Sequence, residues 1–212
     1  MADDQAAANK ADATPRKRPK PGERRIQILQ ALAAMLEQPG SERVTTAALA
    51  AKLEVSEAAL YRHFASKAQM FEGLIEFIET SVFSLLNQIA QGPHEAPDKL
   101  RRMLTVLLQF AERNPGMARV MVGDALVFEN DRLHQRMNLF FDKVEASFRQ
   151  VLRDAASASA TPTVDTQAQA SVAMAFAVGR LHRFSRSGYK RSPLEHLEAS
   201  LNFLIKKYIS LM

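Results

Sequence analysis

Residues 45–64 read TTAALAAKLEVSEAALYRHF, and Ala65-Ser66-Lys67 follow. Thr45 and Thr46 are good N-cap residues, and the alanine-rich run after them favours helix. Leu49 and Leu53 lie four residues apart and so share one face, with the small Ala50 between them. Glu54 falls where the chain must turn. A non-glycine residue held there at positive φ costs roughly 1 kcal/mol. Ser56 is a natural cap for a second helix, with Glu57 in its first turn. Val55, Leu60 and Phe64 then point to a core. Two short helices joined by a tight turn make a helix-turn-helix, whose second helix is sized for a DNA major groove.

The residues left over fit that partner. Ser56, Ala58, Ala59, Tyr61, Arg62 and His63 occupy the outward side of the second helix. Small Ala58 and Ala59 permit close approach to base edges, and alanine can touch a thymine methyl. Tyr61, His63, Lys67 and the hydroxyls of Thr45 and Thr46 suit phosphates, and Arg62 suits either role. The competing reading is a helical hairpin in an ordinary bundle, with Tyr61 and Arg62 on a solvated face.

Outward from this motif the chain reads as helix throughout. Residues 23–38 form a first helix with Ile26, Leu29, Leu32, Ala33 and Leu36 on its apolar face, ended by Pro39-Gly40. Ser66 caps a long helix to about residue 91, with Met70, Phe71, Leu74, Ile75, Ile78, Val82, Leu85, Leu86 and Ile89 as its apolar set. Helices are predicted over residues 97–112, 117–122, 125–153, 166–187 and 194–211, the third of these carrying Phe128 on its apolar face. No strand pattern or internal repeat is present, so the fold class is all-α. The expected organisation is a disordered basic tail over 1–21, a DNA-binding domain over 22–66 and a helical domain over 67–212. A small, polar linker spans 155–166.

The 212 residues are 47% hydrophobic and 24% charged, which suits a globular protein with a substantial core. There is no cysteine, hence no disulfide, thiol nucleophile or cysteine metal site. No apolar run is long enough to span a membrane, and the N-terminus has no signal-peptide core. Net charge is +5, and Arg16, Lys17, Arg18, Lys20, Arg24 and Arg25 cluster at the start. Such a cluster is either a solubilising tail or an electrostatic arm for phosphates. His63, His94, His134, His182 and His196 are scattered, and no catalytic or nucleotide-binding motif occurs. An enzyme, a cofactor and a metal are therefore not expected. Glu129, Asp131 and Glu145 read as a solvated acidic face.

The run VSEAALYRHFASKAQMF, residues 55–71, resembles the DNA-binding domain of TetR-type regulators. That resemblance implies a homodimer, with an N-terminal three-helix DNA-binding domain and a larger C-terminal helical domain. It also implies double-stranded DNA with palindromic sites as a partner. The blocks ERNPG (112–116) and ALVFENDRL (125–133) resemble a branch of the family that binds chromosomal DNA and blocks assembly of the division protein FtsZ over the nucleoid. Over most of residues 23–154, and more weakly over 168–211, the chain is similar to that branch. Residues Phe77, Arg113 and Asn114 match its FtsZ-binding positions, while Leu85, Val106 and Gln109 depart from its pattern. Arg113 suits the acidic C-terminal tail of FtsZ. From the residues alone, Phe77 is either core or an exposed anchor, and Arg113-Asn114 either a contact or a helix cap. The resemblance implies a cytoplasmic, nucleoid-associated protein. Other TetR-type proteins bind a small inducer, and Met103, Phe110, Met121, Phe128, Met137 and Phe176 are the residues available for such a pocket. The last two helices either face a symmetry mate or complete the monomer core.

Overall fold

The structure is a computed structural model describing residues 22–38, 43–158 and 166–209; among these every regular element is a helix. The tail over 1–21, the Pro39-Gly40 stop, most of the linker and the last three residues lie outside the described residues.

Helix α1 (Glu23–Leu36) buries Ile28, Leu32 and Leu36, a stripe of every fourth residue. Ile26, expected on that face, is exposed instead. It stands two residues from Ile28, about 200° around the helix, so the two cannot both face inward. Thr45 caps α2 (Thr46–Lys52) by accepting a hydrogen bond from the Ala48 amide at 3.1 Å. Ser56 caps α3 (Glu57–Tyr61) in the same way, from Ala59 at 3.3 Å. Glu54, between them, has φ 54, so the turn is left-handed, a choice the spacing of the two helices left open. The strain is offset locally: the Val55 amide reaches the Ala50 carbonyl at 3.0 Å, and Leu49, Ala50, Leu60 and Phe64 are buried in the head.

Ser66 caps α4 (Lys67–Gln91), which extends roughly 37 Å at 1.5 Å per residue. It starts just after the recognition segment and runs through the rest of the molecule. There α5 (Ala96–Arg113), α6 (Pro115–Met121), α7 (Asp131–Ala158), α8 (Thr166–Arg186) and α9 (Leu197–Ile209) surround it or each other. Helix α7 packs along α8 and against α4 and α5, and α6 packs against α1. Met103, Leu107, Met137, Phe140, Phe148 and Leu181 fill the centre. Glu72 and Glu79 of α4 are paired with Arg132 and Arg136 of α7 at 2.8 and 2.6 Å. The contact with Glu79 raises the Arg136 pKa.

The helix expected over 125–153 starts later, at Asp131. Gly123 takes φ 84, and Asp124–Leu126 forms a single 3-10 turn. The Asn130 side chain then accepts from the Arg132 amide at 3.1 Å, which seeds the helix there. One consequence is that Phe128 is 66% exposed rather than core. Helix α9 likewise begins at Leu197, because His196 has φ 52 and breaks helical geometry. Helix α7 continues to Ala158, into the stretch read as linker.

Candidate nucleic-acid interface

Helix α3 is only five residues long, and its packing side is fixed by Leu60, with Phe64 just beyond. The rest of the segment is open to solvent in whole or in part. Ser56, Glu57, Ala58 and Arg62 are exposed, Ala59 and His63 are half-buried, and Tyr61 is 44% exposed. Arg25 of α1 fixes the end of this segment. Its guanidinium donates to the His63 carbonyl and stacks over the Phe64 ring at 4.1 Å. The recognition residues are thereby held on a supported backbone while their side chains stay open.

Their hydrogen-bonding states differ. Thr45 and Ser56 use oxygen lone pairs as caps, which leaves each hydroxyl hydrogen able to donate to a phosphate. Thr46 is committed: its hydroxyl donates to Glu57 Oε2 at 2.6 Å, tying α2 to α3. Lys67 is committed too. It pairs with Glu129 and lies 5.6 Å from the centroid of Phe71. The Glu129 side chain is only 8% exposed, and Arg43 also stands 4.0 Å from it. Glu129 is therefore a buried brace between α4 and the loop before α7, not part of a solvated acidic face. The sequence signal missed was the broken helix: a Glu at the fifth position of a regular helix starting at Ala125 would have pointed elsewhere. Of the other two, Asp131 is exposed and Glu145 is half-buried, accepting from Gln167 at 3.0 Å.

A second open surface lies where α4 and α5 run side by side. Phe77 is 50% exposed, with its ring tilted 42° against that of buried Phe110 at a centroid distance of 6.1 Å. Leu85 on α4 is also exposed, against its expected core placement, and Val106 on α5 is half-buried. Arg113, one turn beyond Phe110, is exposed and makes no ion pair or side-chain hydrogen bond among the described residues. Asn114 is different: its side chain donates to the Phe110 carbonyl at 2.7 Å and closes the end of α5. The pair splits into one open cation and one structural cap.

The residues considered for an inducer pocket do not converge. Met103, Phe110, Met121 and Met137 are buried in the packed interior. Phe176 lies under the Arg180 guanidinium at 5.1 Å. Phe128 edges a small cleft with Arg43, Phe71 and Arg119, which has room for about one water molecule. Of the described residues, no three His, Asp or Glu are grouped to hold a metal, and no helix is long and apolar enough to cross a membrane.

A helix-turn-helix head on an all-helical body places the chain among the TetR-type DNA-binding regulators. Residues 28–74 match the family described as "Bacterial regulatory proteins, tetR family". Residues 95–209 match the SlmA-like family described as "Tetracyclin repressor-like, C-terminal domain". The chain is 48% identical over 188 residues to the nucleoid occlusion factor SlmA of Idiomarina loihiensis, covering 88% of this chain and 96% of that protein. Its identity to the nucleoid occlusion factor SlmA of Photobacterium profundum is 49% over 177 residues, covering 82% and 90%. Among solved structures it resembles the TetR family transcriptional regulator PfmR from Thermus thermophilus, with a TM-score of 0.70 at 19% identity, over 85% of this chain and 97% of that one. The chain belongs to the TetR family, in its branch of SlmA nucleoid occlusion factors.

Proposed function

We infer that this protein is a sequence-specific DNA-binding nucleoid occlusion factor. Bound as a dimer to palindromic chromosomal sites, it inhibits FtsZ ring assembly over the nucleoid. The observation that carries this reading is the coexistence of two open surfaces on one helix system, in a chain 48–49% identical to nucleoid occlusion factors along most of its length. A regulator that only bound DNA would need the first surface alone.

The recognition surface supplies Ala58 and Ala59 for base edges, with Thr45, Ser56, Tyr61, Arg62 and His63 for phosphates or bases. Thr46 donates to a phosphate only by leaving Glu57, while Lys67 keeps ammonium hydrogens beyond the one on Glu129. Two such heads reading a palindrome must stand about 34 Å apart. Dimerisation has a candidate face on the last two helices. Val172 on α8 is exposed, and Phe203 on α9 is 83% exposed. Ala175 and Gly179 continue the α8 face, and nothing lies within 4 Å of a Cβ placed on Gly179. Small residues there let a partner helix come close.

The α4–α5 surface suits a peptide with an apolar anchor and acidic neighbours. Phe77 and Leu85 offer apolar area, and Arg113 an open guanidinium for a carboxylate. The acidic C-terminal tail of FtsZ is the proposed occupant. Helix α4 links the two surfaces mechanically. It begins at Lys67, beside the recognition segment, and carries Phe77 ten residues on, about 15 Å along the axis. DNA binding at one end favours the FtsZ-competent arrangement at the other, and this coupling requires different FtsZ affinities in the two states.

The test is FtsZ polymerisation and binding by the purified protein, with and without a selected palindromic duplex. Inhibition strengthened by specific DNA is the expected result. Firm DNA binding with no effect on FtsZ would move the reading to a ligand-responsive transcriptional repressor.

A further inference from the structure

The last turn of α1 is gripped from outside the DNA-binding head. Carbonyls in a helix's final turn have no intrahelical partner. The Leu36 carbonyl accepts from Arg119 Nη1 on α6 at 3.1 Å, and from the Tyr189 hydroxyl, after α8, at 3.1 Å. One turn earlier, the Ala33 carbonyl lies so close to Gly116 that a Cβ there would sit 2.4 Å from the oxygen. The grip is thus a close backbone contact plus two directed hydrogen bonds.

Tyr189 is held in an unusual way for this task. Its φ is 67, a region that bulky side chains enter only against a steric cost. The segment around it is stitched to the end of α8. The Tyr189 amide donates to the Phe184 carbonyl at 3.0 Å, and its ring packs on that of Phe184 at 5.2 Å. Ser187 donates to the same carbonyl at 2.9 Å and accepts from the Arg191 amide at 2.9 Å. Burial raises the pKa of the phenol, whose ordinary value already leaves the hydroxyl a donor at neutral pH.

A short series of contacts follows from this. The open face of α8 runs up to Gly179, Phe184 lies just beyond it and holds Tyr189, Tyr189 holds the end of α1, and Arg25 near the start of α1 holds the recognition segment. Apolar contacts of Ile28, Leu32 and Leu36 keep the head attached, but such contacts are not directional. A hydrogen bond is directional and fixes an angle. We propose that Tyr189 is a positioning residue for DNA recognition: it sets the angle of the α1–α3 head on α8, and so the half-site spacing a dimer reads. This rests on the dimeric DNA-binding reading above.

The experiment uses the full chain and its Tyr189→Phe variant, which keeps the ring. Duplexes selected by the wild-type protein are remade with one base pair added or removed between half-sites, and affinities are measured for each. The wild type should prefer one spacing sharply. The variant should lose about two- to tenfold at that spacing, the worth of one hydrogen bond, and discriminate less between spacings. Base preferences within each half-site should hold, and the melting temperature should fall by no more than about 5 °C, the stability cost of that one bond. Unchanged spacing preference, or a loss equal at every spacing, overturns the proposal, since equal loss is what a merely structural role gives. A wild-type chain that selects no paired half-sites sinks the DNA-binding reading, and this inference with it.

Discussion

The outer side of α3 and the seam between α4 and α5 are both open to solvent, yet they are made of different chemistry. The α3 surface consists of small and polar groups, with Tyr61 and Arg62 standing out into solvent. The seam is apolar, with Phe77 leaning on buried Phe110 and an open Arg113 at its end. A surface for a polyanion needs donors and close approach, not desolvated area. A surface for a peptide needs an anchor whose burial contributes binding energy. One fold thus presents two open surfaces of different chemistry, with α4 running between them.

The most severe disruption of this contrast comes from inside the head. Phe64→Ala removes a fully buried ring that also carries Arg25, and should cost about 3–5 kcal/mol. DNA binding should vanish in gel shifts, while calorimetry still shows melting of the body. Loss of the whole transition would mean the two regions do not fold separately. Next in size is Glu129→Gln, which breaks the brace to Lys67 and should cost about 2 kcal/mol by denaturant melts. It also releases Lys67 for phosphate, so DNA affinity measured on the folded fraction should rise, with a steeper salt slope. An unchanged slope would exclude Lys67 as a phosphate contact.

Two smaller substitutions separate the surfaces from each other. Arg113→Asp should weaken FtsZ-tail binding more than about tenfold by anisotropy and leave DNA affinity alone. Being exposed, it should move stability by no more than about 0.5 kcal/mol. A sharply lowered melting temperature would make Arg113 structural. Tyr61→Ala should do the reverse, reducing DNA affinity by about tenfold or less while sparing the FtsZ tail. The smallest effect is Thr45→Ala, where loss of the cap on α2 costs about 1 kcal/mol and removes one phosphate donor.

Much of the head was legible because its signals are local. Caps at Thr45, Ser56 and Ser66 act within three residues, and the spacing of two short helices placed a turn at Glu54, whose left-handed conformation only the structure settled. The body was legible only as a set of helices. That Phe128 would leave the core depended on Gly123 and Asn130 breaking the chain together, and each signal was ambiguous alone. Ile26 and Leu85 were misplaced for a related reason: periodicity gives the width of an apolar face, but not which edge of it a neighbour covers.

Interactions between residues close along the chain were enough to specify the all-helical class, the helix-turn-helix and its capping residues, and these could be read from the amino acids alone. Tertiary packing settled the rest. It engaged Lys67 with Glu129, divided Arg113 from Asn114, left Phe77 half in solvent and brought Tyr189 to the end of α1. Leu36 and Tyr189 stand 153 positions apart, and no local preference of either residue encodes their meeting. That contact exists because packing α6 against the first helix, with the segment after α8 alongside, leaves the helix's final carbonyl facing two donors, and a part-buried carbonyl takes the partners that packing brings to it.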